Sequence, residues 1–532
     1  VKPFRVRFAR LAPLVLIASL ALGACSAPTV PQTSSSGSAD DTFVLGIPSE
    51  PATLNPVLGY AVDGGGLMFD GLLSRNADLS LKPALADAMP ATDGETVTFT
   101  LRKDVKFHDG TPLTSADVAY TYQAVMDEKN NSSIRGDFAA IESVDAPDAS
   151  TVVFHLKYPY AAILQRATLG IVPKKLLDGQ SLESAPFNTK PVGTGPYSFV
   201  SWTPGDKLVV KANPTYWGGA PAIKNLVVAY AGDDNVRATR MAAGEFDATV
   251  LPPKAAARFD GQQGLTVHKV DSADYRGVMF PFGQPVTGDL AIRKAVNLAL
   301  DRQAMVDTIL AGAGEPAYGP IAPGTTWYNA AIAGSPAPDQ AQATKVLDEA
   351  GWKVGDDGVR VKDGTRASFT LMYPAGDALR KDLGLAVASD AKKVGIDIEL
   401  AGLDWDAIEP RMSKDALVMG YGAPYDPDYT NYELFHSTLA GQGFFNPGFY
   451  KVPEVDALLD KGREEADPAV RKQTYDAFQQ RISDDAAWAY LVYLKHVYVV
   501  RGQWTGIAPS VEPHEHETGG LFRNIAEWKP VA

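Results

Sequence analysis

An α/β fold is predicted by three observations. The first is strict polar–apolar alternation in short stretches such as Thr96-Val97-Thr98-Phe99-Thr100-Leu101, the period of a half-buried strand. The second is apolar spacing of three to four residues in longer stretches. After Asp289, a helix-capping residue, Ile292, Val296, Ala299, Val306 and Leu310 fall mostly on one face, with Gly312 as the stop. The third is that the two patterns alternate along the whole chain.

Taken in order, the strand starting at Thr96 runs on through Val105 and Phe107 to the turn pair Asp109-Gly110. Val152, Phe154 and Leu156 alternate in the same way, as do Leu208 and Val210. Further helices are predicted over Ala341 to Gly351, Ala378 to Gly395 and Val455 to Glu465. Strands and Gly/Pro turns dominate before Asp271 to Arg276, and long helices alternate with short strands after it. A lobe boundary is expected there. Tyr493 to Arg501 reads as a strand returning across it. A chain of 532 residues is too long for one core.

The N-terminal segment carries Lys2, Arg5, Arg7 and Arg10, then an uncharged apolar run from Leu11 to Leu22. That run falls short of the roughly 20 residues a membrane span needs, and small residues follow it, as in a secretory signal. Leu22-Gly23-Ala24-Cys25 resembles the lipobox of bacterial lipoproteins, which implies acylation of Cys25 and cleavage just before it. Cys25 is the sole cysteine, so no internal disulfide forms. The Ser/Thr/Pro/Gly-rich tract that follows cannot bury a core and reads as a tether. With a formal charge of −14, four of whose opposing cations lie in that signal, and no later Lys/Arg run, the chain is not expected to bind nucleic acid.

Several stretches together resemble one family. They are PATLNPVLG (51–59), LMFDGLLSRN (67–76), the block 98–122 containing DVKFHDGTPLTSADV, the block 192–226 beginning VGTGPYSF, AIRKAVNLALDRQAMVD (291–307) and FYKVPEVDALLDKG (449–462). The chain is similar to the extracellular solute-binding proteins of family 5, the dipeptide, oligopeptide and nickel class, from about Phe43 to Tyr498. The resemblance implies a two-lobed periplasmic-binding-protein-like fold of type II, cluster C, with an extra subdomain in the first lobe. The expected organisation is signal 1–24, lipidated Cys25 and tether 25–42, first lobe 43–275 with the subdomain at about 68–190, second lobe 276–492, and a return to the first lobe over 493–532. It also implies delivery of a peptide, a peptide-like amphoteric solute, or a nickel or metal–opine chelate to an ABC permease. The protein is expected to be a monomer, held to the membrane through Cys25, with no cofactor.

No G-x-S-x-G elbow, Walker loop or Cys-His pair is present, so no enzyme is expected; an anchored envelope hydrolase and a purely structural surface protein are the alternatives of other classes. His514-Glu515-His516 is the single histidine cluster; alternate residues point to opposite sides of a strand, so a solvated loop is expected and no metal site. His155 and His496 are expected to be hydrogen-bonded structural residues. The densest candidate window is 417–437, where a short strand leads into a loop rich in Tyr and Asp. Loops at strand ends are where α/β clefts bind. Tyr421 and Tyr425 offer apolar faces with polar tips, and Asp426 or Asp428 would meet a cationic group. In the peptide branch, the resemblance implies an ammonium-binding aspartate where this chain has Pro424. It adds Trp405 as an aromatic of the cleft, and Tyr60 and the loop of Arg135 as first-lobe contacts. Arg135 would pair with a carboxylate.

Overall fold

The computed structural model describes residues 42–62, 66–335, 337–514 and 520–531. The signal-like segment, Cys25, nearly all of the tether, Glu515 and His516 lie outside them.

Two long antiparallel strands, Leu265–Met279 and Trp488–Arg501, form the middle of an eleven-stranded sheet. Their ladder is regular from Leu265 opposite Arg501 to Asp271 opposite Lys495, breaks over Ser272–Asp274, and resumes with Tyr275 opposite Tyr493. The flanks hang on different ends of this pair. Ala248–Leu251 pairs with Val497 to Val500 and leads outward through Thr42–Ile47, Asn225–Tyr230, Lys207–Ala212 and Tyr197–Thr203. Ala416–Tyr421 pairs with Tyr275 to Met279 and leads to Ser368–Pro374 and Asp397–Leu403. The last two strands are parallel, so a crossover must join them, and the helix Ala378–Lys392 supplies it.

The apolar side chains gather accordingly. One cluster holds Phe43, Leu45, Val228 and the C-terminal Phe522 and Trp528. Another holds Val278, Leu371, Leu383 and Val418. Two lobes therefore share one strand pair. A separate four-stranded sheet, built from residues 91 to 156, packs its buried alternation of Val97 and Phe99 against Phe154 and Tyr122. Among the described residues no helix is long and apolar enough to cross a membrane.

The helix predicted from Asp289 to Gly312 is two pieces. Asp289 does cap Leu290–Ala299, accepting from the Ala291 amide at 2.8 Å. Asp301 then caps a second start by accepting from Ala304 N–H at 2.9 Å, so the turn carrying Val306 belongs to a new segment. The loop predicted after the 417–419 strand closes at Pro427, and Asp428–Phe435 is helical. The strand predicted from Tyr493 begins at Trp488, because its earlier half pairs with the second lobe.

Candidate functional site in the cleft beside the hinge

Where the ladder breaks, the chain's C-terminal arm fills in. Ser272 bridges Glu512 in parallel: Ala273 N–H donates to the Glu512 carbonyl at 2.7 Å, and Glu512 N–H donates to Asp271 at 3.0 Å. His514 N–H then donates to the Gly422 carbonyl at 2.8 Å. Gly422 has φ +130°, and a β-carbon there would sit 1.9 Å from the Ala273 carbonyl oxygen. Only glycine lets these three segments meet. Gly422→Ala is therefore expected to cost at least about 2 kcal/mol and to loosen the arm, read as a lowered Tm and faster amide exchange at His514.

This meeting point assembles a buried polar network. Asp274 is fully buried and accepts from His514 Nδ1 at 2.7 Å, from His496 Nε2 at 3.3 Å and from Arg276 Nη1. Burial alone would raise its carboxyl, but the Arg276 guanidinium and the two imidazoles outweigh that and hold it well below its ordinary value. His496 also contacts Glu512 at 2.6 Å. Burial would lower the His496 ring, yet hydrogen bonds to Asp274 and Glu512 prevail and push it up to about 9. Its folded value lies above the ordinary one. Its stabilisation is thus complete below about pH 6.5 and disappears as pH rises through 9.

A cavity of about 610 Å³ opens beside this network. Arg237 and Pro252 line it from the first lobe, Arg380 and Asp377 from the second, and Arg276 and His514 from between. Burial and the nearby positive charge of Arg276 both lower the Arg380 guanidinium, against the pull of Asp377. The Nε atoms of Arg276 and Arg380 are buried and have no hydrogen-bond partner among the described residues. Each guanidinium already pairs with a carboxylate, Arg276 with Asp274 and Arg380 with Asp377, so what remains unspent is one Nε donor on each.

Of the residues singled out in the sequence, Trp405 and Tyr421 do not line this cavity but touch residues that do: Trp405 lines a neighbouring hollow that shares Asp377 and Arg380, and Tyr421 stacks on His514. Trp405 is 43% exposed, lies 5.9 Å from the Arg380 guanidinium and packs edge-on against Phe444 at 5.4 Å. Tyr421 stacks on His514 with ring centres 6.4 Å apart, and its hydroxyl donates to the Phe444 carbonyl at 3.3 Å. Tyr60 is buried against Phe69 and lines a separate small cavity with Leu208 and Tyr230. Arg135 is half exposed and paired with Glu128 at 2.6 Å. Asp426 is buried and held by both Nη atoms of Arg471 at 2.7 and 2.8 Å. Asp428 is buried between Arg463, at 3.0 and 3.1 Å, and the Tyr160 hydroxyl at 2.8 Å. Tyr425 lies under the Arg75 guanidinium at 3.8 Å. The cationic and anionic contacts expected of Asp426, Asp428 and Arg135 are thus already made within the protein. His514, expected in a solvated loop, is instead held by Asp274 on the cavity wall. His155 contacts Asp145 at 3.2 Å at the surface. Arg276, Arg380 and Asp274 were not singled out by the sequence.

The chain belongs to the bacterial extracellular solute-binding proteins, family 5, whose model matches residues 80–442. Members of this family are binding proteins, not enzymes, and they work outside the cytoplasm. Protein XP55 of Streptomyces lividans is 49% identical over 491 residues, spanning 92% of this chain and 90% of that protein. Among solved structures, NikZ of Campylobacter jejuni in complex with Ni(L-His) superposes with a TM-score of 0.83 at 29% identity, over 92% of this chain and 99% of that one. The oligopeptide-binding protein AppA of Bacillus subtilis, in complex with a nonapeptide, gives 0.77 at 26% identity over the same shares. These matches establish the two-lobed binding-protein fold.

Proposed function

We propose that the protein captures a small carboxylate-bearing solute in the cleft beside its hinge and delivers it to an ABC permease, while a lipid on Cys25 keeps it at the membrane. The observation that carries this reading is the pair of guanidiniums lining one cavity, Arg276 and Arg380, whose buried Nε donors are unspent among the described residues. A cargo carboxylate between them satisfies both donors and relieves their mutual repulsion. Trp405, 5.9 Å from the Arg380 guanidinium, and Tyr421, stacked on His514, offer aromatic surface near that position for the organic part. A cavity of about 610 Å³ is of the size that small solutes occupy, within the general range of about 300–1,000 Å³. Cargo favours the closed lobes because only closure brings both walls to it, and the interrupted ladder at Ser272–Asp274 is where the long strands flex.

Short peptides and amino-acid chelates of a metal both carry such carboxylates. The position of His514, oriented by Asp274 in the manner of a metal-binding imidazole, favours the chelate. Thermal shift separates the two. Nickel with excess L-histidine is expected to raise the Tm by several degrees, nickel alone less, and a pool of di- to tetrapeptides less still. A shift with the peptide pool alone makes a short peptide the cargo. Absence of any shift with carboxylate-bearing compounds rejects the reading.

A further inference from the structure

The lobes also touch away from the hinge, through the protein's own groups. Tyr160 belongs to the first lobe, as do Arg166 in the short helix Ile163–Arg166 and Arg75 in the strand Leu73–Arg75. Tyr425 and the helix Asp428–Phe435 belong to the second lobe, as does Arg463 in the helix Pro453–Glu464. The Tyr160 hydroxyl donates across the seam to Asp428 Oδ2 at 2.8 Å. Ala161 N–H donates to the Arg463 carbonyl at 3.3 Å. The Arg75 guanidinium lies over the Tyr425 ring at 3.8 Å, and that of Arg166 over the Tyr429 ring at 3.5 Å.

The charged groups at this seam have their first partners within their own lobes. Asp428 is gripped by Arg463 at 3.0 and 3.1 Å, and Tyr160 adds a further bond to it. Arg166 pairs through Nη2 with Asp137 of its own lobe at 3.1 Å. Arg75 donates Nη2 to the carbonyl and the side chain of Gln165, each at 3.2 Å, and Nη1 to Thr168 Oγ1 at 3.4 Å. N–H bonds lie in the guanidinium plane, so these two arginines spend their edges at home and turn their faces to the other lobe. Asp428, Arg75 and Arg166 are at most 5% exposed. A buried charge that loses its main partner is costly. None of these three loses it when the lobes part. Separation gives up ring faces, one hydroxyl bond and one amide bond, and water reaches charges that remain partnered.

We propose that this seam is a reversible latch, which holds the lobes together without help from cargo and opens without stranding a buried charge. The inference rests on the clamp reading. Cargo that touches both walls binds the latched arrangement, so the fraction of molecules latched scales the affinity.

The latch can be tested with nothing added to the protein. Tyr160→Phe deletes one hydroxyl and Tyr429→Leu one ring face. Together they are expected to shift the balance toward parted lobes by about tenfold or more. Small-angle scattering of the full chain is expected to give a larger radius of gyration for the double variant than for the wild type. Its Tm is expected to change little, because each charge keeps its partner within its lobe. Amide exchange at Ala161, whose N–H crosses the seam, reads the same balance in the wild type and in Tyr160→Phe alone. Protection is expected in the wild type, with a several-fold loss in the variant. Equal radii in the wild type and the double variant overturn the proposal. So does an unprotected Ala161 in the wild type, or a steep fall in Tm, which marks a fixed structural joint. If nickel with excess L-histidine still raises the wild-type Tm in those cases, the binding reading stands and the latch alone fails. A latch that passes in a protein stabilised by no carboxylate compound keeps the seam and rejects the binding reading.

Discussion

Asp426→Ala is expected to destabilise the protein by about 3–5 kcal/mol, the usual cost of stranding one member of a buried ion pair. Arg471 is buried, holds Asp426 with both Nη atoms and donates Nε to the Gly462 carbonyl at 2.7 Å. Without the carboxylate its charge has no counter-ion and no route to water. Guanidinium denaturation measures the loss. The double variant Asp426→Ala, Arg471→Met is expected to recover most of it, since replacing both members with apolar groups is often close to neutral. A ligand-contacting aspartate behaves oppositely: its removal lowers affinity and leaves stability nearly intact. A single variant of normal stability that fails to bind cargo therefore returns Asp426 to the binding site.

Arg380→Ala is expected to weaken cargo binding by about 2–5 kcal/mol, roughly 30-fold or more, when titrated with whichever compound raises the Tm. Its Nη1 pairs with Asp377, its Nε has no partner among the described residues, and its charge sits beside Arg276. Folding stability is expected to fall only slightly, because the lost pair with Asp377 is partly exposed and the repulsion from Arg276 goes with it. Arg135→Ala is the comparison. Its guanidinium is 48% exposed and paired with an exposed Glu128, so its loss is expected to leave affinity unchanged. The reverse pattern, loss with Arg135→Ala and none with Arg380→Ala, moves the anion contact to the other lobe.

The fold was legible because its signals are local. Asp289, the alternation at Thr96 to Thr100 and the apolar face of residues 292–299 act over a few positions, and tertiary structure did not override them. The family blocks carried the two-lobed architecture. The site was less legible because charge is not self-describing in one dimension. Asp426 and Asp428 sit in a loop that looks open, and their partners Arg471 and Arg463 come from two later helices. Arg380 sits in the first turn of its helix, where nothing in the local sequence marks the burial and the nearby Arg276 charge that it meets in the fold. One signal was available: Asp274 and Arg276 interrupt a stretch that is otherwise among the most buried in the chain, and charges placed there need a reason.

The closing of the first lobe by the far end of the chain has a consequence for how the protein is made. Phe43, in the opening strand, packs edge-on against Trp504 and Trp528 at 5.2 and 6.1 Å, and Leu521, Phe522 and Ile525 join the same cluster. Those partners leave the ribosome long after Phe43 does. The first lobe is thus completed by residues made long after its opening strand, a long-range closure of the kind that slows folding. Slow, late acquisition of the native state is built into the order in which the residues are strung.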